Sequence, residues 1–516
     1  MNKNIVILAA VVLLIGVIGA AFLFLQKPPV QQAPPSQQQP SQPSQPTQPS
    51  QPQQPTQPSQ PTQPTQPSGV TLYVITRHEQ TIQDLTRRMF LNSNVAKKYN
   101  IVNIVFLPVN AEQWPEYIKN AVSKGRGIDV AWGGGPTLFN LIDEQGLIEP
   151  VDENKIPEFS LVKQELAKIP KTIAGAPTYK VGNDGLIHWI GASISSFGFT
   201  VNKDLLSKYG LPMPNKWSDL GNPIYAKNLP AVPLVGTADP TMSTSNTRMF
   251  EIILQAYGWD AGWKALTLLA ANAKIYSGSS DVRDAVIRGD IAVGTTIDFY
   301  GYTAQQQNPA CLYIIPNGES IVNADPIAVL KGASHPREAA VFVAWVLNET
   351  GGQLVWLDPN INRLPINPKV FDTPQGAQRP DLKKALEDVQ NAGGINFNET
   401  LSSLWVTAVV DYFKATLVDA HDDLQPVWAQ IAQAYLNGKI TKDQFNKLVD
   451  SLTAPIIFTD PLTKKKTTFT IDYAINISNQ LASNPSIYQD LMNQWREGAR
   501  QRYLNTQSLL KQMTGS

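Results

Sequence analysis

The sequence contains one cysteine, Cys311, and four histidines, scattered at positions 78, 188, 335 and 421. A lone cysteine excludes an internal disulfide framework, so the fold must be stabilised by its core. Cys311 lies in the apolar stretch 310–315 and reads as a small buried hydrophobe. It also excludes an anchor of the bacterial lipoprotein kind, which needs a cysteine directly after the apolar segment. Charge is sparse: Asp, Glu, Lys and Arg make up 16% of the residues, and 42 basic side chains balance 42 acidic ones. That balance, with no like-charge run beyond 464–466, excludes the basic footprint of a nucleic-acid binder. Catalytic signatures are missing too. There is no Gly-x-Ser-x-Gly elbow, no His-Glu-x-x-His and no Walker-type phosphate loop. Neither an enzyme nor a bound cofactor is expected.

What is present begins with an uncharged apolar run at 5–25, flanked by Lys3 and Lys27. About 21 such residues suffice to cross the roughly 30 Å hydrocarbon core of a bilayer. Residues 1–27 therefore read as a membrane anchor, with a cleaved signal segment ending near Gly19, Ala20 and Ala21 as the alternative. Residues 28–69 are almost entirely Pro, Gln, Ser and Thr in a Ser/Thr-Gln-Pro repeat. Such a stretch favours extended polyproline II, about 3.1 Å per residue, and acts as a disordered, semi-rigid stalk. Three N-glycosylation triplets start at Asn348, Asn398 and Asn476. A stalk, these triplets and no lipoprotein cysteine give the chain an archaeal cast and place its body outside the cytoplasm at a cell membrane.

From residue 70 the composition is that of a globular protein. Apolar runs at 70–76, 101–107 and 128–132 predict strands, and 81–99, 111–123 and 136–145 predict helices between and after them. This alternation predicts an α/β fold with a largely parallel sheet. Further strands are expected at 185–189, 196–201, 232–235, 291–294 and 312–316, with helices from 248, at 281–288 and at 336–347. Beyond about 373 the patterns are helical, which predicts a C-terminal helical extension over 373–516.

Several segments carry a family resemblance. They include Arg77-His78-Glu79 after the first strand, Asp129-Val130-Ala131-Trp132, and Phe197-Gly198-Phe199-Thr200-Val201-Asn202-Lys203. Leu211-Pro212-Met213-Pro214 leading to Trp217-Ser218-Asp219-Leu220 belongs with them, as does Asp325-Pro326-Ile327-Ala328-Val329. So do His335-Pro336-Arg337-Glu338-Ala339-Ala340, Gly351-Gly352-Gln353 and Arg363-Leu364-Pro365-Ile366-Asn367-Pro368. Over 70–370 the chain resembles the type II periplasmic solute-binding proteins of ATP-driven (ABC) importers, in particular the iron, thiamine, phosphonate and sugar-phosphate binders. The resemblance implies one lobe from 70–190 plus 300–372 and a second from 191–299, with crossings near 197–201 and 293–299. It also implies a small-molecule or ion ligand between the lobes, and a permease and its ATPase as partners.

Ligands of open α/β sheets sit beyond the carboxyl ends of the strands. That rule makes Arg77, His78 and Glu79 candidate ligand-binding residues. Gly134, Gly135 and Thr137 join them at one helix start, and Ser243, Thr244 and Ser245 at another. Helix starts offer free N–H groups and a positive dipole end to an anion. The segment Asp298-Phe299-Tyr300-Gly301-Tyr302 adds Asp298, Tyr300 and Tyr302. Ferric binders of the family use two consecutive tyrosines here, whereas this chain has Phe299 before Tyr300. A ferric ligand would therefore need His78, Glu79, Tyr300 and Tyr302 together. An anionic solute is the first expectation, ferric ion the second, and a cell-surface structural or adhesive protein reusing the fold the third.

Overall fold

The computed structural model describes residues 69–515. The apolar run at 5–25 and the stalk at 28–68 lie outside the described residues. Strand β1 (Val70–Thr76), helix α1 (Gln80–Asn92), β2 (Ile101–Pro108), α2 (Trp114–Ser123), β3 (Val130–Trp132) and α3 (Gly135–Glu144) follow the alternation read from the apolar runs. The stretch 81–99 is two helices rather than one, because Ser93 is extended and its hydroxyl caps a short second helix, Asn94–Lys98.

The central element is β4 (Ile187–Asn202), one 16-residue strand where two separate strands are expected from the sequence. The polar residues Ser193, Ser195 and Ser196 interrupt its apolar pattern, yet all three are buried. The reason is that β4 serves two sheets. Its first half pairs with β9 (Val322–Val329), from Ile190 opposite Ile327 to Ser196 opposite Val322. Its second half pairs with β7 (Val293–Ile297) and, on the other edge, with β8 (Cys311–Ile314). One sheet thus runs β2–β1–β3–β9–β4, and the other runs β4–β7–β5–β6, where β5 is Val235–Ala238 and β6 is Ala273–Tyr276.

Helices α4 (Thr244–Tyr257), α5 (Trp259–Asn272) and α6 (Ser279–Arg288) belong to the second lobe. Helix α7 (Asp298–Gln307) follows β7 and precedes β8, and α8 (Pro336–Leu347) belongs to the first lobe. The second crossing lies later than 293–299. Strand β8 pairs Cys311 with Asn202 and Ile314 with Phe199, so the chain stays on the second sheet until residue 314.

The helical extension is not a separate body. Helix α9 (Pro380–Asn391) buries Leu382, Leu386 and Val389 in the first lobe's core. Helices α10 (Glu399–Phe413), α11 (His421–Leu436), α12 (Lys442–Thr453), α13 (Ile471–Ser483) and α14 (Pro485–Thr514) share one core with the second lobe. Segment 392–397 is therefore a third crossing, tied to the second by a hydrogen bond from Ile395 N–H to Ser320 O (3.0 Å). Residues 399–418 are long and apolar enough to span a membrane, but Trp405, Val409, Phe413 and Leu417 are buried in that core, and Leu404 is exposed.

Candidate functional site

The two lobes enclose a cavity of about 500 Å³. Its first wall follows β1. Thr76 fixes the turn, since its hydroxyl donates to Trp132 O (2.8 Å) and accepts from His78 N–H (3.0 Å). Arg77 extends into the cavity, where its guanidinium donates to Asn110 Oδ1 (3.2 Å). Among the described residues, no carboxylate pairs with it. His78 packs edge-on against Trp132, 4.5 Å between ring centres. Burial lowers its pKa to about 3, so it stays neutral at working pH. Because that value lies below the ordinary one near 6.5, His78 adds stability above that pH. The contribution is lost as pH falls toward 3.

Gly133, Gly134 and Gly135 all have positive φ, between 78° and 114°. Side chains rarely adopt that backbone, and a Cβ on Gly133 would strike the His78 ring at 2.7 Å. The turn is therefore specific to glycine. The first-turn N–H groups it presents are not open to a ligand, as the sequence suggests they would be. Gly134 and Gly135 donate them to Asp325 Oδ1 (2.9 and 3.3 Å), and Arg363 holds Asp325 Oδ2 (2.5 Å). Burial pushes the Asp325 pKa up, but the Arg363 guanidinium and the Gly134 N–H outweigh it, so the carboxyl sits below its usual range. This internal carboxylate fills the anion seat at the start of α3. Beside it, the buried Nε of Arg363 has no hydrogen-bond partner.

The opposing wall comes from the second lobe. Ser243 caps α4, accepting from Asn246 N–H (3.3 Å). Its hydroxyl also meets that of Ser279 (2.7 Å), which meets that of Ser245 (2.5 Å), and Asn246 Nδ2 donates to both Ser243 and Ser279. This cluster sets the N-termini of α4 and α6 side by side, with Ser243, Thr244, Ser245, Gly278, Ser279 and Ser280 lining the cavity. The first N–H groups of a helix lack intrahelical acceptors, so two positive dipole ends face the same space.

The candidates in α7 separate. Tyr300 lines the cavity and its hydroxyl donates to Glu79 Oε1 (2.6 Å). Tyr302 does not reach the cavity. It is 7% exposed and packs edge-on against Tyr313, 5.3 Å between centres. Two residues on a helix lie about 200° apart, so Tyr300 and Tyr302 cannot share a face. The quartet His78, Glu79, Tyr300 and Tyr302 is thus not assembled. Among the described residues, no group of three or more His, Cys, Asp or Glu side chains is placed to hold a metal ion.

Asp298 is likewise buried outside the cavity, accepting from Ser196 N–H (2.7 Å), Ser196 Oγ (3.2 Å) and Phe299 N–H (2.8 Å). Burial raises its pKa to about 7. A carboxyl raised above its unfolded value contributes stability below about pH 4 that is lost as pH climbs toward 7. Asp298→Asn should flatten that loss in thermal unfolding followed from pH 4 to 8. An unchanged pH profile would mean that Asp298 is ionised throughout.

Residues beyond those expected from the sequence complete the cavity: Ser279, Asp325, Arg363, Arg248 and Ser402, with Glu399 next to it, bonded to Thr137 and Arg248. For Ser279 a signal existed, since Ser277-Gly278-Ser279-Ser280 precedes a predicted helix in the same way as Ser243-Thr244-Ser245. Asp325 and Arg363 lie inside the segments that carry the family resemblance. Glu399 and Ser402 come from the extension and had no signal.

The model of the bacterial extracellular solute-binding protein family matches residues 80–353, more than half of the chain. The chain belongs to this family. Its two α/β lobes joined by a shared strand are the architecture of a periplasmic binding protein. The solute-binding protein is 31% identical over 194 residues to the phosphoglycerate transport regulatory protein PgtC of Salmonella typhimurium LT2, covering 37% of this chain and 47% of that one. It therefore spans about half the length of that relative. Among solved structures, the periplasmic binding protein P5PA aligns at 18% identity over 68% of this chain and 100% of its own, with a TM-score of 0.48. The periplasmic binding protein AfuA from Actinobacillus pleuropneumoniae, with exogenous fructose-6-phosphate bound, aligns at 18% identity over 62% and 98%, with a TM-score of 0.46.

Proposed function

We propose that this solute-binding protein captures a small organic anion, most simply a phosphorylated one, and delivers it to the permease and ATPase of an ABC importer. The observation that carries this reading is the pairing of Arg77, a cation without a carboxylate partner among the described residues, with the N-termini of α4 and α6 across the cavity. A guanidinium fork and helix-start N–H groups are a matched set for phosphate or carboxylate oxygens. The relative named for phosphoglycerate transport points to the same chemistry. Ferric ion is disfavoured because Tyr302 is in the core. A purely structural surface role is disfavoured by the polar cavity itself. In this reading the apolar run at 5–25 tethers the protein, and the stalk holds its body on the outer side of the membrane.

Thermal unfolding with phosphoglycerates, sugar phosphates, inorganic phosphate, neutral sugars and ferric ion tests the assignment. A ligand present at one hundred times its dissociation constant adds about 2.7 kcal/mol. The expected outcome is a rise in the transition with phosphorylated compounds and none with neutral sugars. A response to ferric ion alone, or to nothing in the panel, would sink the proposal.

A further inference from the structure

We infer that the C-terminal extension is the clasp of the cleft, in which Glu399 joins Thr137 of the first lobe to Arg248 of the second. The inference depends on the geometry of the lobes and not on the ligand class. Three observations lead to it.

The extension enters at the cleft because of the third crossing. From Ile395 the chain passes to Asn398, whose N–H donates to Gln255 Oε1 on α4 (2.7 Å), while Gln255 Nε2 returns a bond to Asn398 O (3.2 Å). The Asn398 side chain caps α10, accepting from Leu401 N–H (2.9 Å). Glu399, the first residue of α10, is thereby set at the cavity rim.

A polar junction then spans the lobes. Thr137 Oγ1 donates to Glu399 Oε2 (3.0 Å), and Arg248 Nη2 donates to that same oxygen (2.9 Å) and to Thr137 Oγ1 (2.7 Å). Three elements distant in sequence thus close a three-membered ring of hydrogen bonds. The Thr137 arm exists only when the lobes are together, whereas the Arg248–Glu399 arm lies within the second lobe and survives opening.

The extension also positions Arg248. The Phe397 ring lies 4.6 Å beneath the guanidinium, and Ser402 Oγ accepts from Nη1 (3.3 Å). Ser402 in turn donates to Glu251 Oε1 (2.6 Å), which also receives the Trp405 indole N–H (3.1 Å). Further along, Lys414 pairs with Asp239 (3.0 Å) behind the loop that leads into α4. Glu251 Oε2 also lies 3.8 Å from Arg248 Nη1, so the guanidinium stands between two carboxylates, Glu251 within the second lobe and Glu399 facing the lobe-1 hydroxyl.

The test reads the distance between the lobes. Cys311 is buried, so spin labels on Lys119→Cys in the first lobe and Lys208→Cys in the second report cleanly from the full chain in mild detergent. Electron–electron resonance distances are compared for the parent, Thr137→Val and Glu399→Ala, without any ligand. Losing charge-assisted bonds at a partly exposed rim should shift the open-to-closed ratio about tenfold toward open in both variants. Thr137→Val should leave the thermal transition of the second lobe in place. Unchanged distance distributions in both folded variants would overturn the clasp. So would a shift in Glu399→Ala alone accompanied by lost stability, which would make Glu399 a structural residue of the second lobe. A shifted distribution in a protein that binds no anion would support the clasp while rejecting the proposed ligand class.

Discussion

Arg77→Ala is expected to weaken binding of a phosphorylated solute by about 10- to 100-fold, from hydrogen bonds to charged groups of roughly 1.5–3 kcal/mol each. The side chain is exposed and donates only to Asn110 Oδ1 and weakly to Val109 O, so its removal leaves the core intact. Arg77→Lys should recover part of the affinity, since an ammonium keeps the charge but loses the two-pronged geometry. Titration calorimetry measures both. Affinity untouched in Arg77→Ala would move the anion seat to Arg363, whose buried Nε has no hydrogen-bond partner. In that case Asp325 would compete directly with the ligand, because it already holds Arg363 Nη1.

Ending the chain at residue 378 should prevent the second lobe from folding. A detachable appendix would leave a soluble two-lobed protein, but here the extension's helices form part of the core. Trp405, Trp428 and Trp495 are all fully buried in the cluster that also contains Phe199, Phe250 and Leu266. Phe250 of α4 stacks on Phe413 of α10 at 4.2 Å. The Trp428 indole N–H donates to Asn272 Oδ1 at the end of α5 (2.7 Å). Removing these partners would strip the apolar face of α4 and α5, the elements that aim the anion site. Within the intact chain, Trp428→Ala should cost about 3–5 kcal/mol for the cavity it opens. Denaturant unfolding of Trp428→Ala and near-ultraviolet dichroism of the shortened chain check the two expectations. A shortened chain with native aromatic dichroism and a cooperative transition would refute the shared core.

Much of the first lobe is legible in the amino-acid sequence. Its strands are short apolar runs and its helices have clear periodicity, so β1, β2 and β3 stand where residues 70–76, 101–107 and 128–132 predict them. The second lobe is harder to read, because β4 looks like two strands where it passes from one sheet to another. Its serines carry no apolar signal, and their burial follows from being flanked on both edges. The separation of Tyr300 from Tyr302 follows from α7 beginning at Asp298, which turns Tyr302 inward.

The sequence by itself determined the class of protein and the side-chain types available to a ligand. Local patterns and the family's segments survive translation into one dimension. The tertiary structure alone decided which of those groups remain free. Asp325 takes the N–H groups of Gly134 and Gly135 from a position about 190 residues away, and Glu399 reaches the cleft from an extension outside the segments that carry the family resemblance. Partnerships of that kind depend on how distant segments pack, and no local spacing records them.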